Sequence, residues 1–113
     1  LNRARQSLAD LEAELNVIGV ATSDRAFNLT WHDWLNLDSL ILVSKSITEA
    51  ALARENSRGA HYREDFPEEG DLESSYFTTA RLDDGKIEVS TSPVEFTRVK
   101  PGKTLIREEP AVA

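Results

Sequence analysis

The breadth of one apolar pattern restricts the fold most. Between Trp31 and Arg54, Leu40, Val43, Ile47 and Ala50 form a line at helical spacing; Trp34, Leu37 and Ile41 form an adjacent one, and Leu35 and Leu42 widen it. A surface helix needs only one apolar stripe, so a face this wide demands burial against more than one element. Thr30-Trp31-His32-Asp33 has capping-box spacing and sets the predicted start at Thr30. Asn36 and Asp38-Ser39 mark where the segment would break into two helices. The small residues Ala50-Ala51-Leu52-Ala53 permit close helix approach.

Residues 1 to about 18 carry a narrower signal. Leu1, Leu8 and Leu15 are seven apart, as are Ala4, Leu11 and Ile18, which together make an a/d seam. Gly19 is the expected stop. The stretch from Val20 to Asn28, with Thr22-Ser23-Asp24 as turn chemistry, reads as a connection. The first half is therefore expected to be two or three helices in an antiparallel bundle.

The pattern stops in a dense polar stretch from Arg54 to Pro67. Fourteen residues hold three arginines, His61, Tyr62 and three carboxylates around Gly59. Gly59 suits a helix C′ position, and Arg54 and Arg58 then fall in the last turn, where cations suit the negative end of the helix dipole. A well-capped helix end is the plain reading. It does not explain the supply of donors and acceptors just after the cap, which points to a junction with another surface.

Residues 64–73 hold six carboxylates and no basic residue, the mark of a solvated loop; their order does not match the twelve-residue calcium loop. Tyr76 to Leu82 is rich in β-formers, Asp83-Asp84-Gly85-Lys86 is a turn signal, and Ile87, Val89 and Thr91 alternate with Glu88 and Ser90. This predicts a hairpin. Pro93 makes Val94 to Val99 an edge strand or strap, and Lys100 to Lys103 ends it. The expected organisation is one domain: a helical bundle over 1–66, an acidic loop over 67–75, a hairpin and edge strand over 76–106, and a frayed tail over 107–113.

Composition narrows the function classes. A chain of 113 residues with 40% hydrophobic and 29% charged residues suits one soluble globular domain. The net charge of −7 disfavours nucleic acid and anionic membranes as partners. The lack of cysteine removes disulfides, thiol nucleophiles and thiolate metal sites, and a cytosolic origin fits. No apolar run approaches the ~20 residues of a membrane span. The chain opens with Leu1-Asn2-Arg3-Ala4-Arg5 inside a helical pattern, without an initiator Met or a signal-peptide core. That reads as a piece of a longer protein.

Few residues are equipped for chemistry. His32 sits in a helical first turn, with no HxxxH or HExxH spacing, and packing is its expected role. His61 is the better acid–base candidate, with Asp65 or Glu64 as partner, but no nucleophile stands at a telling distance in the sequence. Asn56-Ser57-Arg58-Gly59 is not a GxSxG elbow, and the isolated glycines form no phosphate loop. No self-contained active site is visible, and two descriptions remain open from the residues alone. One is a docking domain of a larger enzyme; the other is a free-standing helical interaction module.

The stretch Ala51-Leu52-Ala53-Arg54-Glu55-Asn56-Ser57-Arg58-Gly59-Ala60-His61-Tyr62-Arg63-Glu64-Asp65-Phe66-Pro67 resembles the signature of the C-terminal domain in succinate dehydrogenase and fumarate reductase flavoproteins, with L-aspartate oxidases as relatives. Leu35 to Val43 and Pro93-Val94-Glu95-Phe96-Thr97 resemble flanking segments of the same family, so the likeness covers residues 1 to about 105. It implies a mainly α fold, an antiparallel three-helix, spectrin-repeat-like bundle followed by a short β-hairpin or strap. It implies FAD in the full-length parent and none in this piece, with flavin, dicarboxylate and the proton-donating arginine held by the preceding FAD-binding and capping domains. No catalytic, cofactor-binding or metal residue carries over. Chemistry and resemblance together suggest Arg54, Arg58, His61, Arg63 and Asp65 as an interdomain junction. The implied partners are the protein's own flavin and capping domains and an iron–sulfur subunit, in electron transport in the cytoplasm or at the inner face of a membrane through a partner complex. The segment Asp71 to Phe77 departs from the Trp-Leu-Lys-His-like run of membrane-complex succinate dehydrogenases. This counts against a standard iron–sulfur subunit and against succinate. The long β extension, often absent from L-aspartate oxidases, argues mildly the other way.

Overall fold

The computed structural model describes residues 1–103. Its elements in chain order are α1 (Asn2–Ile18), α2 (Leu29–Ala53), β1 (Tyr76–Asp83) and β2 (Lys86–Pro93). The described residues fall into two compact units. One comprises 1–55 with the hairpin tip 78–90; the other comprises 56–77 with the segment from 91 onward.

The expected three-helix, spectrin-repeat-like bundle is not formed: the described residues hold two helices and a two-stranded sheet. The break foreseen at Asn36 or Asp38-Ser39 does not occur, and α2 runs through all 25 of its residues. Asn, Asp and Ser cost only a few tenths of a kcal/mol each inside a helix. No glycine or proline interrupts the ladder. Ser46 and Thr48 hydroxyls donate back to the carbonyls of Leu42 and Ser44, so the buried Thr48 brings no unmatched hydroxyl into the interface. The start is also displaced: Asn28, not Thr30, is the N-cap, and its Oδ1 accepts the Trp31 N–H at 3.0 Å.

Gly19 ends α1 at φ 60°, its N–H reaching the Leu15 carbonyl at 3.3 Å. The helices pair antiparallel: Trp34 Nε1 donates to the Leu15 carbonyl at 3.2 Å, Lys45 Nζ reaches Glu12 at 2.7 Å, and Arg5 Nε lies 3.5 Å from Glu49. Only part of the predicted seam is used. Leu15 and Ile41 are buried, Leu8 and Trp34 half-buried, while Leu11 and Ile18 stay exposed. On α2 the line Leu40, Val43 and Ile47 is 63%, 55% and 64% exposed. One neighbour cannot cover a face wider than one stripe, so most of this apolar surface meets water in the chain by itself.

The hairpin forms as its turn signal predicts. Asp84 (φ 45°) and Gly85 (φ 74°) are both left-handed, the type I′ requirement that matches strand twist. Of the edge strand or strap expected over 94–99, no strand forms. Beyond Pro93 a bond from the Val94 N–H to the Ser75 carbonyl at 2.9 Å continues the pairing. The tail 107–113 lies outside the described residues.

Candidate functional site

The Arg54–Pro67 stretch is built differently from a capped helix end. The helix closes at Ala53, and Arg54 is already extended, at φ −94° and ψ 118°. Gly59 is not a helix C′ residue, and neither Arg54 nor Arg58 sits in a helical last turn. Gly59 (φ 57°) instead opens a tight reversal in which Arg58 and His61 exchange both backbone bonds, at 2.9 and 3.0 Å. Left-handed backbone at the first central residue alone is the II′ pattern, which glycine supplies without a Cβ penalty.

Ser57 is the hub of this loop. It is buried, its N–H donates to the Glu68 carbonyl at 2.9 Å, and its Oγ accepts the Arg63 N–H at 2.9 Å and donates to the Phe66 carbonyl at 2.8 Å. Sequence reasoning weighed Ser57 only as a nucleophile and missed this role. The available signal was a short polar side chain just ahead of a tight turn, where hydroxyls bond to nearby backbone.

Arg58 clasps the acidic segment. Its Nε donates to the Glu69 carbonyl at 2.6 Å, Nη1 to Ser75 Oγ at 2.8 Å and Nη2 to the Asp71 carbonyl at 2.8 Å. The planar guanidinium fork reaches three acceptors at once, which an ammonium could not do in that geometry. Gly70 (φ 71°) turns beneath it, with Arg58 Nη2 3.7 Å from where a Cβ would stand. The segment 64–73 is thus a folded loop tied by Ser57, Arg58 and Arg63, not merely a solvated run.

Arg63 is 8% exposed, pairs with the exposed Asp65 through two hydrogen bonds, and lies with its guanidinium carbon 4.5 Å from the centre of the Phe66 ring. The Arg63 hydrogen bonds hold the Asp65 carboxyl below its ordinary value, and those from Ser74 and the Glu73 N–H do the same for Asp71. His61 is half-buried, and its Nε2 is buried without a hydrogen-bond partner. Arg58, His61, Arg63 and Asp65 therefore share one compact unit, while Arg54 belongs to the other. His32 is exposed and packs against the Trp31 ring at 5.8 Å between centroids. Among the described residues no three histidine, aspartate or glutamate side chains stand close enough to hold a metal ion. No helix among them is long and apolar enough to cross a membrane.

The described residues thus comprise a helical hairpin, an arginine-clasped loop and a β-hairpin, with much of the apolar surface of the helices left exposed. The chain belongs to the family described as fumarate reductase flavoprotein C-term, whose model matches residues 1–106. It is 35% identical over 104 residues to a fumarate reductase flavoprotein subunit of Mycobacterium tuberculosis (strain ATCC 25618 / H37Rv), covering 91% of this chain and 18% of the relative. It is 30% identical over 98 residues to a succinate dehydrogenase flavoprotein subunit of Rickettsia bellii, covering 86% and 16%. The 8-methylmenaquinol:fumarate reductase flavoprotein subunit of Wolinella succinogenes is 27% identical over 92 residues, covering 80% and 15%. The chain spans less than a fifth of the length of these relatives. No solved structure matches it.

Proposed function

We propose that this chain is the C-terminal part of an FAD-dependent oxidoreductase of the succinate dehydrogenase and fumarate reductase kind. The parent moves a hydride between a dicarboxylate-like substrate and FAD. This part braces the flavin domain, presents a surface to partner subunits, and holds neither flavin nor a catalytic residue of its own. Arg54, Arg58, His61, Arg63 and Asp65 form the stretch that meets the preceding domains. The organisation is the helices with the polar loop that follows them, to residue 66, then the acidic loop and the β extension, all within one domain of the longer protein.

The match across residues 1–106 carries this reading. The physical support is twofold. A line such as Leu40, Val43 and Ile47 left in water marks a surface made to be covered. The His61 ring as a whole is only half-buried, so part of it is left for another surface to meet.

The test is reconstitution in two pieces. The preceding part of the flavoprotein, loaded with FAD, is mixed with this chain and run by size exclusion. A one-to-one complex is expected, and flavin added to the chain alone should give no fluorescence quenching. Stoichiometric flavin binding by the chain alone, or failure of the pieces to associate, would contradict the reading.

A further inference from the structure

The corner between α1 and α2 holds a feature that the bracing stretch does not use. Phe27 is fully exposed and has φ 53°. Left-handed backbone is unfavourable for any residue with a Cβ, and an aromatic in water gains nothing that would offset it. The loop is nevertheless built to hold Phe27 there. Asn28 Nδ2 lies 2.7 Å from the Asp24 carbonyl and 3.1 Å from both the carbonyl and the hydroxyl of Thr22. Asn28 Oδ1 caps α2, and Asp24 Oδ1 accepts the Ala26 N–H at 3.0 Å. Because the helices are antiparallel, the end of α1 and the start of α2 share this corner. There Val17 is 87%, Ile18 68% and Leu29 74% exposed. The same loop lines an open cleft of about 480 Å³ with Val20, Thr22, Arg25, Asn28 and Trp31.

We infer that Phe27 anchors a second interdomain contact, entering an apolar recess of the preceding part of the same flavoprotein polypeptide. The inference rests on the bracing role and adds to it a site remote in sequence from the Arg54–Asp65 stretch. Size and chemistry identify the occupant. Val17, Ile18, Phe27 and Leu29 are all uncharged, so an aliphatic or aromatic recess fits them and a charged surface does not. Together they offer on the order of 500 Å², less than the ~800 Å² per partner of a free-standing complex. A surface tethered in the same chain needs no such area, because its effective concentration is high. The chain makes up 18% of its Mycobacterium tuberculosis relative, so most of such a polypeptide lies outside it and can supply the recess.

The experiment uses the full-length, flavin-loaded protein. The photoreactive residue p-benzoylphenylalanine replaces Phe27 in one sample and the exposed Tyr62 in another, and cross-linked peptides are identified after irradiation. The probe at 27 is expected to label a peptide preceding this chain in the same polypeptide. Labelling of a second copy or of another subunit overturns the inference. So does no labelling from 27 when the probe at 62 does label the preceding part, a result that leaves the bracing role intact. No labelling from either position overturns both.

A second variant guards against misfolding. Phe27→Gly keeps the left-handed backbone at no steric cost, so the loop is retained while the anchor is lost. Amide exchange over 20–31 in the full-length protein is expected to rise about tenfold; unchanged exchange would overturn the inference.

Discussion

Arg58 shows how a residue can keep its importance and change its meaning. Read as a helix-end cation, it proves to be a clasp with three acceptors, all from the 69–75 segment. Arg58→Ala removes those bonds and leaves two carbonyls to water. The expected cost is about 1–3 kcal/mol for the 56–77 region, with Arg58→Lys recovering only part of it. Faster limited proteolysis between residues 68 and 75 would register the loss, and an unchanged cutting rate would refute the clasp. Asp65 supplies a pH prediction. Its folded pKa lies below the ordinary aspartate value because Arg63 hydrogen-bonds to the ionised form. On acidification the unfolded state therefore takes up this proton first. The contribution is fully present above about pH 4 and fades as pH falls through the folded value. Asp65 is exposed, so the effect is small. Asp65→Asn should make the acid unfolding curve shallower below about pH 4, and superimposable curves would refute it.

At the level of elements, the alternation and turn signal of the hairpin were legible, because two positive-φ residues in a two-residue loop demand Asp-Gly-like chemistry. The periodicity of both helices and the Gly19 stop were legible for the same local reason. The continuity of α2 was not. Whether Asn36 or Asp38-Ser39 ends a helix depends on small local penalties set against packing over a long ladder, and α1 ties to α2 at Trp34 and Lys45 while Ile41 and Thr48 are buried. The tie from the Trp34 indole to the Leu15 carbonyl pins the pair at 3.2 Å. Trp34→Phe retains the aromatic body and loses the bond, so it should cost about 0.5–1.5 kcal/mol. The urea midpoint should fall with its m-value unchanged; no shift would show the bond to be incidental.

For the whole molecule the decisive quantity is the scant apolar burial. Leu15 and Ile41 are its buried hydrophobic residues among those described, against many exposed ones on α1 and α2. A domain with so little core has little to set against conformational entropy, so its stability should depend on what covers it. By linkage, adding the FAD-loaded preceding part in hundredfold excess over the dissociation constant should stabilise the chain by about 2.7 kcal/mol. A thermal melt followed at a tryptophan of α2 would read this as a raised Tm, and a Tm independent of the added part would count against the bracing role.

Local chemistry, read along the chain, determined the helix periods, the Gly19 stop, the Asp-Gly hairpin and the family-bearing Ser57-to-Pro67 motif. Each of these depends on backbone preferences or spacings within a few residues. Only the tertiary structure decided that α2 is continuous, that Gly59 turns a loop and does not cap a helix, that Ser57 and Arg58 organise the acidic segment, and that Phe27 stands exposed on a strained backbone. Those outcomes depend on which distant carbonyls and side chains meet, and spacing in the sequence carries no record of that.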